Sequence, residues 1–293
     1  VNEHEITRMT SLRWISMLLE KCPDEMNTCV DEYFFALLRT LEDPSDQIVQ
    51  VSLRNLALVS RSDMLFRRVL VKVVELFGSK RSLLENRGSL IVRHLCILLS
   101  AEKVYCELAT IMQTQEDLEF TSLMVQMLNL ILLTASELEP LRVKLKGSLS
   151  SLSSSSSSFK IFETVFNSWC HAPVAALSLC FLAQAYDLAS VMISHFGDAE
   201  ITVGFLMQVD KLVQLLESPI FVHLRLQLLD SSQSQHVALM KSLYGLLMLL
   251  PQSSAYKTLQ NRLTAVSSMH SALGMKAPAA AAVGGAEKGR RAK

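Results

Sequence analysis

Cys170 and His171 stand side by side, a thiol next to a base, the two residue types that a cysteine nucleophile needs. Their spacing argues against that use. Neighbouring residues on a helix point about 100° apart, so the imidazole does not reach the adjacent thiol. Adding Cys180 gives three metal-binding residue types, too few and too irregularly spaced for a zinc site. Asp198 and Glu200 in "HFGDAE" form an acidic pair. Helix punctuation is the plainer reading there, with Gly197 closing one helix and Asp198 capping the next. The six cysteines, Cys22, Cys29, Cys96, Cys106, Cys170 and Cys180, contain no C-x-x-C. Most sit in apolar stretches and read as reduced core residues of a cytosolic protein. Glycine-rich phosphate loops and G-x-S-x-G are absent from the sequence. No catalytic, cofactor-binding or metal-binding residue is assigned, and no cofactor is expected.

The elements behind these residues read as helices. Half of the 293 residues are hydrophobic and only 6% aromatic, with 13 methionines and few glycines. Mean hydropathy is +0.29. That composition favours helix over sheet. Ile6, Met9, Leu12, Ile15 and Leu19 recur at spacings of three and four, the period of an amphipathic helix. Pro23 and Asp24 break it; "CVDEYFFALLRTL" and "QIVQVSLRNLALVS" follow as further helices. "LEDPSDQIVQVSLRNLALVS" resembles a HEAT repeat, with Asp43 and Pro44 in the turn and Ile48, Leu56 and Val59 toward the neighbouring repeat. Val49 stands where a basic residue is usual. Asp63 opens the next helix and Gly78 caps it; "SKRSLLENRG" forms a short helix or turn ending at Gly88. Later helices include "QEDLEFTSLMVQMLNLILLTASE" and "DAEITVGFLMQVDKLVQLLES", whose Asp210 and Lys211 fall on a solvated face. No alternating strand is present. The expected fold class is all-α, a HEAT-like helical-repeat superhelix or α-solenoid.

Lys and Arg total 28 and Asp and Glu total 28, so no net charge draws the chain to nucleic acid. Eight basic residues between Arg61 and Arg93 (Arg61, Arg67, Arg68, Lys72, Lys80, Arg81, Arg87, Arg93) face three acids, Asp63, Glu75 and Glu85. They read as a solvated face or as a contact for an anionic surface. "GSLSSLSSSSSS", residues 147–158, reads as a disordered loop between helices, and 265–293 as a flexible tail. No signal or transit peptide is visible, and the start at Val1 reads as that of a fragment.

Three uncharged windows approach membrane length, at 120–136, 168–186 and 242–256, but each is short, amphipathic or broken by proline. Buried helices are the expectation. Along Val237 to Leu250 almost no polar face remains, so one neighbouring layer cannot cover the helix. Gly245 permits close helix approach, and Ser253 or Ser254 caps the helix after Pro251. Leu243, Tyr244, Gly245, Leu247, Met248 and Pro251 are therefore candidates for an oligomer or partner interface, with an internal core helix as the competing reading.

"ENRGSLIVRHLCILLSAEKVY", "SLMVQMLNLILLTASEL", "SWCHAPVAALSLCFLAQAYDLA", "HFGDAEITVGFLMQVDKLVQLLESPIFVHLRLQLLD" and "MKSLYGLLMLLPQSSAY" together resemble the C-terminal part of the vacuole morphology and inheritance scaffold family. That family organises the PIKfyve-type lipid-kinase complex. The resemblance covers most of Glu85 to Leu263 and implies a non-catalytic scaffold. It would gather a kinase that makes phosphatidylinositol 3,5-bisphosphate with a Sac-type phosphatase that removes it. The C-terminal region would bind the phosphatase and self-associate as a homo-oligomer. Membrane association would be peripheral, through the complex, on vacuolar or late endosomal membrane. The implied organisation is HEAT-type repeats over 1–62, the phosphatase-binding and self-associating domain over 63–264, and the tail from 265. Trp169, His171 and Pro173 are then candidates for a phosphatase contact loop, or simply shape a helix turn. The chain departs from the family at the serine run and beyond Ala265, and lacks its long N-terminal HEAT array. A different function class, a helical-repeat adaptor or coat-like protein of membrane trafficking, would share the same fold.

Overall fold

Helix follows helix through residues 3–149, 157–197, 201–231 and 235–272, the part that the computed structural model describes. No strand occurs among the described residues. Two units divide the chain, Val1–Ala183 and Gln184–Lys293. The first holds α1 (Glu5–Lys21), α2 (Pro23–Thr28), α3 (Val30–Arg39), α4 (Asp46–Val59), α5 (Asp63–Ser79), α6 (Arg81–Leu83), α7 (Ser89–Leu98), α8 (Ala101–Gln113), α9 (Leu118–Thr134), α10 (Glu139–Lys146), α11 (Ser157–Trp169) and α12 (Pro173–Ala183). The second holds α13 (Tyr186–Phe196), α14 (Val203–Leu216), α15 (Val222–Gln227), α16 (His236–Leu249) and α17 (Ser254–Ala272).

The packing repeats. In the first unit α1, α4, α7, α9 and α12 lie each against the next, and α5, α8 and α11 form a second row. The rows are joined by α4 on α5, α7 on α8 and α11 on α12. The second unit repeats the scheme, with α13 on α16 and α14 on α17. This is the two-layer arrangement of an all-α helical-repeat solenoid, in which each repeat covers the apolar face of its neighbour. Ile48, Leu56 and Val59 are buried, as the period requires. Packing is continuous across residue 62.

Polar contacts carry the same period. Arg8 holds Asp43 at 2.6 Å, Arg54 meets Glu20 at 3.0 Å, Lys80 meets Glu42 at 2.6 Å and Arg81 meets Asp117 at 2.9 Å. Arg68 pairs with Asp31 and Lys144 with Glu102. In the second unit Arg262 pairs with Glu217. From Glu20–Arg54 to Glu217–Arg262 the partners lie 34 to 45 residues apart, one repeat. The basic stretch expected to be a solvated or anion-binding face does lie at the surface, and it carries part of this ladder. Arg67, Arg68, Lys72, Lys80, Arg81, Arg87 and Arg93 are each ion-paired, and the acids come from repeats on either side as well as from Glu75. Asp43 lacks a basic partner directly after its turn because Val49 is core; Arg8 of α1 supplies it.

Several expected boundaries shift. Asp63 opens α5 as expected, with Ser62 before it as the cap, accepting from the Leu65 amide at 3.3 Å. Gly78 lies inside the last turn of α5 and does not close it. The short helix expected to end at Gly88 is α6 followed by a π-helical segment, Leu84–Gly88, and it runs without a break into α7. A Cβ on Gly88 would stand 2.8 Å from Met127 Sδ and 2.9 Å from Leu84 Cδ1, so the π-helical segment and α9 approach through the missing side chain. Thr202, not Asp198, caps α14, accepting from the Phe205 amide at 3.2 Å; residues 198–200 lie outside the described ones. Of the stretch expected to be disordered, Ser148 is buried and Ser157 and Ser158 begin α11, while 150–156 are not described. Of the expected tail, 265–272 belong to α17 and 273–293 are not described.

One supersecondary device occurs twice. After α9 the chain turns through Ser136–Leu138 into α10, and Arg142 Nη1 reaches back to the carbonyls of Leu132 (2.9 Å) and Ala135 (2.6 Å). After α14 it turns through Pro219–Phe221 into α15, and Arg225 Nη1 reaches back to Leu216 and Ser218. Leu138, Leu141 and Leu145 beneath the first correspond to Phe221, Leu224 and Leu228 beneath the second, all buried. Each arginine satisfies a carbonyl that the helix C-terminus leaves unpaired, Leu132 or Leu216, and gives a second donor to Ala135 or Ser218, which already accept from the Leu138 and Phe221 amides.

Candidate partner interface

α16 is apolar on nearly every side, yet its neighbours cover only part of it. Leu239, Leu243, Leu246 and Leu247 are buried. Ser242 Oγ donates to the Tyr186 carbonyl of α13 at 3.3 Å. Gly245 brings α13 close, since a Cβ on it would lie 2.5 Å from Ile193 Cγ2. The remaining face is a stripe at spacings of four, three and four: Val237, Lys241, Tyr244 and Met248. Met248 is 79% exposed and Val237 56%. Tyr244 is 38% exposed and its hydroxyl lies 3.2 Å from Ser267 Oγ on α17. The neighbouring α13 leaves Val191 and Leu188 exposed as well.

The expected interface residues therefore separate. Tyr244, Met248 and Pro251 are at the surface; Leu243 and Leu247 are core, and Gly245 serves the α13 contact. The expectation was a helix that one neighbouring layer cannot cover, and Val237, Tyr244 and Met248 are the part that its neighbours in this chain leave exposed. Ser253 caps α17 through the Tyr256 amide at 3.2 Å and donates to Asp210 at 2.6 Å. Asp210 thus ties α14 to α17 while half-buried, and Lys211 beside it is exposed.

The turn between α11 and α12 belongs to the first unit. Trp169 is fully buried, its Nε1 donating to Asn129 Oδ1 at 3.2 Å, and Ser178 Oγ donates to the same oxygen at 2.8 Å. With no exposed surface Trp169 shapes the turn and offers nothing to a partner; His171 is half-buried and Pro173, the first residue of α12, is exposed. Burial pushes the Cys170 thiol up, away from the thiolate that a nucleophile needs. Burial likewise pushes Cys96 and Cys180 up to about 12. Cys22, Cys29 and Cys170 are exposed, so the reading of most cysteines as core does not hold. Among the described residues no cluster of three or more metal-ligating side chains occurs, and no single helix is long and apolar enough to cross a membrane.

Residues 81–266, from α6 into α17, match the family described as vacuolar protein 14 C-terminal Fig4p binding. The chain belongs to that family. It is 48% identical over 266 residues to a VAC14 homolog of Arabidopsis thaliana, covering 90% of this chain and 35% of that protein. Identity is 42% to the Schizosaccharomyces pombe VAC14 homolog, over 89% of this chain and 32% of the relative. It is 34% to vacuole morphology and inheritance protein 14 of Saccharomyces cerevisiae, over 88% and 28%. The chain thus spans about a third of the length of these relatives. Both the Trp169 turn and α16 lie inside the vacuolar protein 14 family match. Val237 and Lys241 were missed by the sequence reading, although Lys241 was its signal: one charge on an otherwise apolar helix marks the side that faces water.

Proposed function

We propose that this chain is the partner-binding part of a non-catalytic scaffold, and that its first partner is a Sac-type phosphoinositide phosphatase. The observation that carries the reading is the family match over 81–266, a region named for Fig4p binding, with an exposed apolar stripe on α16 inside it. A helix that shows Val237, Tyr244 and Met248 to water gains by covering them, each fully buried apolar side chain contributing roughly 1.5–3 kcal/mol. Joined to the same scaffold, a PIKfyve-type phosphatidylinositol 3-phosphate 5-kinase would stand beside the phosphatase. Synthesis and turnover of phosphatidylinositol 3,5-bisphosphate are then regulated together on vacuolar and late endosomal membranes, where the scaffold associates peripherally through the complex. Self-association into a homo-oligomer uses this C-terminal region too. The helical repeats are assigned to the HEAT type, on the Asp43–Pro44 turn.

Co-purification tests the reading. The chain, immobilised and exposed to cytosol, retains a Sac-type phosphatase, with or without the lipid kinase. Recovery of coat or cargo proteins with neither enzyme would instead support a trafficking adaptor.

A further inference from the structure

Two histidines meet in the interior of the second unit. His236 is the first residue of α16 and His270 lies in the last turn of α17. Their ring centroids are 5.4 Å apart at an interplanar angle of 57°. They are 3% and 4% exposed. Among the described residues neither Nε2 has a hydrogen-bond partner. An imidazole buried this way is stable when neutral; as imidazolium it would be a desolvated cation beside a second group of the same kind.

We propose that the His236–His270 contact is a proton-sensitive latch that holds the end of α17 on the start of α16 while the His236 ring is neutral and lets go when that ring is protonated. The groups around it agree. Burial pulls His236 below the ordinary histidine value and His270 adds to the effect, while a backbone hydrogen bond at Leu228 and the charge of Asp230 oppose it without reversing it. Other charged groups on the packed helices are engaged or turned away: Arg262 of α17 is paired with Glu217 of α14, and Lys241 of α16 and Asp187 of α13 are exposed. A depressed folded value means that the unfolded or released state takes up protons first. The latch is therefore closed above the ordinary histidine value, about 6.5, and opens as pH falls through the lower value of His236. Opening would loosen the helix whose exposed stripe is the candidate interface.

The test is an NMR titration of this chain from about pH 8 to about pH 5, following the histidine ring nitrogens and the backbone amides of 264–272. The latch predicts that His236 titrates below the ordinary histidine value and that the α17 amides change with the same midpoint. His236→Phe, which keeps an aromatic ring against His270 but binds no proton, should remove that amide transition. A His236 midpoint at or above the ordinary value, or α17 amides that ignore it, would overturn the proposal. So would an unchanged amide transition in the variant. Should the variant fail to fold, the wild-type midpoints decide alone. No partner enters the measurement, so its failure is distinct from failure of the phosphatase reading.

Discussion

Gly245 and Glu137 show how single residues set this structure. Replacing a helical glycine by alanine ordinarily stabilises by about 1 kcal/mol. At Gly245 the added Cβ would fall 2.5 Å from Ile193 Cγ2, so the sign reverses. Gly245→Ala should lose about 1–3 kcal/mol in urea unfolding. Combined with Ile193→Ala, which removes that methyl, it should lose less than the two single changes added together. Glu137 is held down to about 2, first by its hydrogen bond from Arg93, against the opposing effect of burial. A depressed carboxylate stabilises the fold above its unfolded value, about 4.5, and that share is lost as pH falls toward 2. Arg93→Gln should therefore flatten the fall in urea midpoint across this acid range. The close approach at Gly245 was legible in the sequence because a glycine inside an apolar helix has few other uses. The Glu137 pair was not, since its partner stands 44 residues away.

At the scale of elements, local signals located the helices but not their contacts. Proline and period fixed α1, α4 and α12, and the Asp43–Pro44 turn announced a repeat. What stayed hidden was the use of charge. A basic stretch read alone has no partner in view, whereas the acids that answer it lie mostly one repeat away. Each such exposed pair contributes only about 0–1 kcal/mol, but pairing removes the excess positive field. This chain should accordingly float with anionic vesicles no better than with neutral ones at physiological salt. Selective binding to anionic vesicles would return the basic stretch to a membrane role. The twice-used arginine device was also open to reading, since "LR" follows each helix break with leucines spaced alike. Arg142→Ala and Arg225→Ala should each cost about 1–3 kcal/mol by leaving the Leu132 or the Leu216 carbonyl unsatisfied, as thermal unfolding would show.

For the whole molecule, the interface claim turns on which side of α16 a residue occupies. Apolar content alone could not separate Leu247 from Met248; the neighbours do, leaving one 7% and the other 79% exposed. The most direct measurement titrates a purified Sac-type phosphatase against this chain, wild type and Met248→Glu, with helicity followed in parallel. The account predicts that the wild type binds, and that Met248→Glu keeps its helicity but binds at least about tenfold more weakly, about 1.4 kcal/mol. Leu247→Asp, a core change, should lose helicity instead. No binding by the wild type, or equal binding by a folded Met248→Glu variant, would contradict it.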